Sequence, residues 1–367
     1  MSNSIIRSDV QAILDADLPW ERFAGKRVLV TGAAGFLPAY IVETLLTLGR
    51  TGQGPEEVIG LVRNLEKARR RFAGHAADSR LRLVQADLCE PPPLDSSCNF
   101  IIHAASQASP KYYFTDPVGT LEPNVIGTHH LLRRAASDKA EGFLFFSSSE
   151  VYGQGQEGAL SETSYGYLDP ATVRSCYAES KRMGETLCVC ATHQFDVPTF
   201  IVRLFHTYGP GLAADDGRVF SDFITNIVAR RDFIITSDGL ARRAFCYVSD
   251  AVRGIFTVLL KGKPAQPYNV GNDTAEVSIR ELATILSAAF PDRNLDVVID
   301  PAKAAASYAK SAVSRNCPDV DALRGLGWEP TIDIATGFKR TVAFIEGEPD
   351  LSSPVAPTAP DPDAWGR

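Results

Sequence analysis

The sequence predicts an α/β protein built on a doubly wound parallel sheet with a smaller C-terminal substrate-binding lobe, and three observations carry that expectation. Short apolar runs near residues 27–31, 57–62, 81–86, 99–103, 143–146 and 199–203 are separated by turns and helix-patterned segments, the alternation that gives parallel strands with right-handed crossovers. The first run leads into Gly32-Ala-Ala-Gly35-Phe36-Leu37-Pro38 and then an apolar-periodic stretch over 39–48. Strand, glycine turn and helix in that order form a dinucleotide site of Rossmann type, because the turn lets backbone N–H groups and the helix N-terminus approach a pyrophosphate. Beyond residue 206 the elements shorten, with a helix expected over 219–230 and a strand over 233–236.

The elements divide as follows. Residues 1–25 form an N-terminal extension in which Ser8 is placed to cap a short amphipathic helix, with Trp20 and Phe23 available to dock it. Residues 26–205 make up most of the dinucleotide-binding domain, and 206–345 most of the substrate lobe, interleaved with the sheet. Residues 346–367, rich in proline and aspartate, read as a disordered tail. Pro38 stands where a third glycine is usual, and proline is accepted in a first helical turn, where its missing N–H is not needed. The second strand ends in Arg63-Asn64 instead of an acidic residue that would bond a ribose 2′-hydroxyl. Arg63 suits either a 2′-phosphate or stacking on adenine, so NAD and NADP both remain in view. Asp87 and Leu88 after the third strand, and Ala104 after the fourth, complete the expected cofactor wall.

Composition narrows the function classes. A chain of 367 residues, 45% hydrophobic, is long enough for one large α/β domain plus a smaller one. A formal charge of −7 argues against broad nucleic-acid or anionic-membrane binding. The seven cysteines have no zinc-site spacing and read as reduced thiols, no metal is expected, and no apolar run approaches a membrane span. A cytoplasmic location is expected.

The chemistry is expected at Tyr177 and Lys181. Four residues apart on a helix, they share one face, where an ammonium can hold down a phenol's pKa and make it a base. Taken alone, such a spacing is also a common helix-surface pair. The surrounding segments decide the matter: Gly32-x-x-Gly35, His103-Ala-Ala, Ser147-Ser148-Ser149-Glu150-Val-Tyr-Gly and Arg203-x-Phe-x-Thr-Tyr-Gly-Pro occur in order around it. Over residues 26–345 the chain resembles the extended short-chain dehydrogenases/reductases that act on nucleotide sugars. It looks most like the UDP-glucuronate decarboxylases, through Ala108-Ser-Pro with Tyr113, Arg174-Ser-Cys-Tyr177, Gly217-Arg218-Val, Arg243-Ala-Phe-x-Tyr and Leu326-Gly-Trp-Glu-Pro.

The resemblance implies roles. Tyr177 would be the base, with Lys181 orienting the nicotinamide ribose and lowering the tyrosine's pKa. Ser148 would bond the sugar's 4-hydroxyl, and Glu150 would work near C5. Tyr113, Ser149, His206, Arg218 and Arg243 would meet the substrate, with Lys111 beside Tyr113 as a cation for a sugar carboxylate. The bland readings are a turn former at Ser148, a strand-end cap at Glu150 and a surface ion pair at Arg243. Departures from the resembled pattern fall at His206, Gly211, Cys246, Lys111 and Tyr112, positions expected to touch sugar and phosphate. The implied reaction oxidises a nucleotide sugar at C4 and then decarboxylates at C5. A 4,6-dehydratase or epimerase using the same 4-keto sugar is the alternative, and a non-catalytic cofactor sensor is the different class. The resemblance also implies a homodimer through the helices that would carry 124–134 and 177–191.

Overall fold

A computed structural model describes residues 3–155, 158–300 and 313–347, so most of the expected tail lies outside the described residues. The strands β1 (Arg27–Thr31), β2 (Glu57–Val62), β3 (Leu81–Gln85), β4 (Phe100–His103), β5 (Gly142–Ser148) and β6 (Thr199–Leu204) stand within two residues of their expected limits. Together with Pro267–Val270 they form a seven-stranded parallel sheet in the order Pro267–Val270, β6, β5, β4, β1, β2, β3. Every residue of β5 is buried, as expected where helices cover both faces of a parallel sheet. The order runs outward from β1 through β2 and β3, then reverses to β4. Such a reversal opens a crevice at the strands' C-terminal ends.

Helix α1 (Ser4–Leu14) corrects one expectation. Asn3 is its N-cap, its side chain accepting the Ile5 amide at 2.8 Å, so Ser8 lies inside the helix. Trp20 and Phe23 dock as expected, edge-on to Phe256 and Phe100 respectively, each with ring centroids 5.0 Å apart. Asp9 ties α1 to three other elements. Its carboxylate accepts from the Tyr40 hydroxyl at 3.0 Å, the Tyr247 hydroxyl at 2.9 Å and an Arg340 Nη at 2.9 Å. Tyr40 belongs to α2 (Phe36–Leu48), and the side chains of α3 (Leu65–Arg71) line the same face of the sheet's crevice.

A second difference concerns the helix expected around Asn124. Residues Pro123–Gly127 form a π-helical turn leading into the helix Thr128–Asp138. Pro123 has no N–H to give the preceding turn. The Asn124 amide side chain instead donates to the Thr120 carbonyl and to Ser180 Oγ, each at 3.0 Å.

In the second lobe, Arg242–Tyr247 pairs with Glu276–Ser278, with Arg315–Asn316 and with His206–Tyr208. This brings Asn316 and His206 to the crevice. Asp250 fastens the lobe: its carboxylate accepts the Thr331 and Ile332 amides at 2.8 and 2.9 Å, and its carbonyl accepts Trp328 Nε1–H at 3.0 Å. Among the described residues no helix is long and apolar enough to cross a membrane.

Asp9 generates a stability prediction. Burial, the largest influence, pushes its carboxyl from 3.8 to about 6, against the Arg340 guanidinium and the two tyrosine hydroxyls. The folded state therefore holds a proton that the unfolded chain has released, and this group's contribution to stability falls as pH rises from 3.8 to about 6. Thermal midpoints measured across that window should shift in favour of Asp9→Asn relative to wild type as pH rises. Asp9→Ala, which leaves the buried Tyr40 hydroxyl without its acceptor and removes one partner each from Tyr247 and Arg340, should cost about 2–4 kcal/mol by denaturant titration. A cost below about 0.5 kcal/mol, within the range of ordinary surface changes, would show that α1 is only loosely attached.

Candidate active site

The crevice is a cavity of about 1270 Å³ lined by the residues that end β2, β4, β5 and β6. Its cofactor side contains Gly32, Gly35, Phe36 and Leu37, with Arg63, Asp87, Leu88 and Ala104 further along. Gly32 has φ +64°, and a Cβ there would lie 2.8 Å from Ala105 Cα, so the turn requires glycine. Helix α2 starts at Gly35 with no side-chain cap, which leaves first-turn amides directed at whatever occupies the cavity. The Thr31 hydroxyl accepts the Ala104 and Ala105 amides at 3.2 and 3.1 Å and lies 2.9 Å from His103 Nδ1. His103 Nε2 is 3.1 Å from the Pro123 carbonyl. A carbonyl cannot donate, so Nε2 carries the proton and Nδ1 accepts from Thr31. Burial pushes this imidazole down to about 3, so it remains neutral and acts as a fixed brace under the 104–106 loop. Uncapped helix, glycine turn and braced loop fit a dinucleotide.

Arg63 is exposed, and its positive charge, after the Cys89 amide, helps hold the Asp87 carboxyl below its ordinary range. Its guanidinium is placed at the cavity wall where the ribose end of a dinucleotide would lie.

On the other side, the helix Cys176–Phe195 carries Tyr177 and Lys181 into the cavity. It lies close against β5 because Gly184 has no side chain: a Cβ would stand 2.3 Å from Phe145 Cζ. Lys181 is buried, donates to the Phe146 carbonyl at 2.7 Å and sits 5.0 Å from the Phe145 ring centroid. Burial brings its ammonium down to about 7, partly offset by Glu185. Glu185 itself is paired with Arg203 at 2.7 Å, which makes Arg203 a half-buried support of this helix.

Tyr177 departs from expectation in its charge state. Burial pushes the phenol up to about 12. What pulls it down is first a hydrogen bond with Ser148, then the guanidinium groups of Arg218 and Arg174. Lys181 stands 5.7 Å from the ring centroid and bonds a carbonyl, so it does not hold the phenol down in the way the four-residue spacing suggested.

Ser148, Ser149, Glu150, Tyr113, His206 and Arg218 all line the cavity. The Tyr113 ring stacks on that of Tyr177, centroids 4.9 Å apart, and its hydroxyl donates to the Ala108 carbonyl at 3.0 Å. Ser149 Oγ accepts from Asn316 Nδ2 at 3.1 Å, while Asn316 Oδ1 is buried with no hydrogen-bond partner. His206 packs between Phe220 and Phe245; burial, then Arg243 and Arg218, hold it neutral, and its Nδ1 has no hydrogen-bond partner. Arg218 is paired with Asp216 at 2.9 Å.

Three expected contacts lie elsewhere. Arg243 is buried but does not line the cavity; its guanidinium donates to the carbonyls of Arg242 and Val313 at 2.7 and 2.8 Å. Lys111 is paired with Asp215 at 2.6 Å and joins the segment around Tyr113 to the segment before Arg218, so it is not a cation inside the site. Cys246 is fully buried beside the Tyr247 carbonyl and does not line this cavity, so its difference from the resembled pattern is a packing change. Tyr112 does line the cavity, partly exposed.

Sequence reasoning gave no role to Arg174 or Asn316. Arg174 pairs with Glu150 at 2.9 Å and lies over the Tyr113 ring at 4.7 Å. Its position three residues before Tyr177 was a usable signal. Asn316 reaches the site through strand pairing across the lobe, for which the sequence holds no local signal.

With the site described, comparison with known proteins is informative. The model of the NAD dependent epimerase/dehydratase family matches residues 28–271. UDP-glucuronic acid decarboxylase 1 of Arabidopsis thaliana is 35% identical over 321 residues, covering 86% of this chain and 69% of that one. UDP-glucuronic acid decarboxylase 1 of Xenopus tropicalis is 33% identical over 325 residues, covering 88% and 73%. Among solved structures, DesIV, a dTDP-glucose 4,6-dehydratase from Streptomyces venezuelae with NAD bound, superposes with a TM-score of 0.73 at 27% identity, over 87% of this chain and 97% of that one. UDP-glucuronic acid 4-epimerase from Bacillus cereus, at TM-score 0.72 and 22% identity over 87% and 99%, shares the fold. The glycine turn, the Ser148–Tyr177–Lys181 arrangement and these matches lead to one assignment: the chain belongs to the NAD dependent epimerase/dehydratase family.

Proposed function

We propose that the chain oxidises UDP-glucuronate at C4 and decarboxylates it at C5, giving UDP-xylose or its 4-keto precursor. The relatives that match over most of the chain carry the name UDP-glucuronic acid decarboxylase, at 33–35% identity. The observation that carries the reading is the Glu150–Arg174 pair at 2.9 Å. A decarboxylase must admit a C6 carboxylate, and a bare glutamate beside C5 would repel it. Arg174 neutralises Glu150, and Arg218 adds positive charge at the cavity wall.

Gly32, Gly35, Phe36, Leu37, Arg63, Asp87, Leu88 and Ala104 would hold the cofactor, with Tyr177 and Lys181 at its reactive end. Bound nicotinamide supplies a hydride acceptor and donor for C4. Tyr177 takes the proton of the sugar's 4-hydroxyl, while Ser148 bonds both the phenol and that hydroxyl. In the 4-keto sugar the C5–C6 electron pair moves toward the C4 carbonyl, CO₂ leaves, and the resulting enolate oxygen is held by Tyr177 and Ser148. Protonation at C5 restores the ketone. Ser149, His206 and Tyr113 shape the sugar pocket, with Arg218 as its cation and Arg243 behind His206.

NAD is the proposed cofactor, with NADP the alternative that exposed Arg63 would serve; finding only NADP in extracts of the denatured protein would reverse that choice. The proposed setting is the cytoplasm, in keeping with reduced thiols. A homodimer is proposed through the surface bearing exposed Val118, Leu121, Ile126, Met183 and Val189. Light scattering at micromolar protein should give twice the chain mass, and a monomer would contradict the assembly.

The second reading, a dehydratase or epimerase, is favoured by Glu150, whose carboxylate lies near enough to Tyr177 to raise its pKa and could remove a C5 proton. Incubation with UDP-glucuronate in D₂O separates the readings. Wild-type protein should release CO₂; no CO₂, with deuterium at C5 of a sugar that keeps its carboxyl, would establish the second reading.

Tyr177→Phe should lower turnover by roughly 10²–10⁴-fold while cofactor binding persists. Ser148→Ala removes the largest interaction that lowers the phenol, so the pKa rises and the ascending limb of the pH profile should move to higher pH. An unmoved limb with equal loss at every pH would leave Ser148 a binding role only.

A further inference from the structure

Helix α3 ends at Arg71, which lines the main cavity. Its guanidinium occupies the space directly over Gly211: a Cβ built at 211 would lie 2.4 Å from one terminal nitrogen and 3.0 Å from the other. The side chain therefore crosses from the dinucleotide side of the cavity to the loop after His206–Tyr208, and the absence of a side chain at 211 gives it room. Among the described residues the Arg71 side chain makes no hydrogen bond or ion pair. Its titratable neighbours are the Tyr40 phenol, which burial keeps neutral, and Glu43, whose carboxylate is already bound to His75 at 2.6 Å. Burial lowers its pKa, the expected response of a cation withdrawn from water without a carboxylate in contact.

The other basic residues of α3 differ. Arg70 is exposed and paired with Glu66, and Lys67 and Arg69 are exposed. Lys67 and Arg70 also line the cavity, but Arg71 alone among them is partly buried there, and its side chain has no acceptor among the described residues. A guanidinium in such a place presents several N–H donors in a planar fork, suited to two oxygens of one phosphate or to neighbouring phosphates of a diphosphate. The uncapped N-terminus of α2, which also favours anions, lines the same cavity.

We infer that Arg71 is a diphosphate-binding residue that clamps the anion from α3 across to the Gly211 loop. The diphosphate belongs to the dinucleotide or to the nucleotide sugar, and only the second source rests on the function proposed above.

The test measures binding of NAD and of UDP separately, by calorimetry on the full chain freed of nucleotide, for wild type, Arg71→Gln, Arg71→Lys and Gly211→Ala. Arg71→Gln should weaken one probe by about 10- to 100-fold, the effect of losing hydrogen bonds to a charged group. Arg71→Lys should recover part of that affinity. Gly211→Ala, which crowds the guanidinium without altering α3, should weaken the same probe. Loss on the NAD arm assigns the cofactor diphosphate, and loss on the UDP arm the substrate's. Both dissociation constants within a factor of two of wild type in Arg71→Gln, or a lower melting temperature alone, would overturn the inference. If Arg71→Gln does not fold, unchanged binding in Gly211→Ala overturns it instead. CO₂ release by wild type is read independently, so failure of the decarboxylase reading leaves this result standing.

Discussion

Close packing of one helix on one strand sets the position of everything reactive. Cys176–Phe195 can approach β5 only because Gly184 faces Phe145 with no Cβ between them. Below that contact, Lys181 donates to the Phe146 carbonyl and Glu185 accepts from Ser147 and holds Arg203 on β6. Three successive attachments along β5 leave the helix no freedom to slide. Tyr177, one turn before Lys181, then has to meet Ser148 at the strand's end. The half-buried Arg203–Glu185 pair is better understood as fixing this register than as adding stability, since desolvation offsets much of the attraction in such pairs.

That attachment has an electrostatic consequence. Burial suppresses ionisation of both Tyr177 and Lys181, the phenol pushed up to about 12 and the ammonium brought down to about 7. A base in this position must draw on charges beyond its own helix turn. The protein supplies Arg218 through the 211–218 segment and Arg174 through the turn before the helix, and each is accompanied by a carboxylate, Asp216 or Glu150. Each guanidinium thus acts beside the phenol while its own charge is balanced.

The scaffold was legible because its determinants are local. Buried parallel strands must be nearly continuous apolar runs, and a turn that presses Gly32 against Ala105 must carry glycine. Side-chain destinations are not local. Lys111 looked like a cation for the sugar, yet its partner Asp215 lies 104 positions away. Arg243 was expected to meet the substrate, but pairing of Arg242–Tyr247 with Arg315–Asn316 brings backbone carbonyls within its reach first. Ser8 lost its capping role to Asn3 by a shift of helix start that propensity alone does not resolve. The Tyr177–Lys181 spacing placed both residues in the site, but a pKa depends on burial and on the carbonyl that Lys181 finds, neither of which spacing encodes.

The same distinction orders the departures from the resembled pattern. Cys246 sits in the core and Lys111 in a loop-to-loop ion pair, so neither bears directly on a ligand. Of the three that do face the cavity, Tyr112 stands beside Tyr113, while His206 and Gly211 bracket a single short segment that continues from β6 past His206–Tyr208. His206 is held neutral with a ring nitrogen lacking a partner, so it offers a ligand a hydrogen bond but no charge. Gly211 offers nothing of its own and lies beneath the guanidinium of Arg71. Guanidinium groups at this edge of the cavity therefore come from α3 on one side and, paired with Asp216, from Arg218 on the other, while the intervening segment is uncharged at both positions. A ligand lying across that segment would meet a guanidinium at each end and no charge between them.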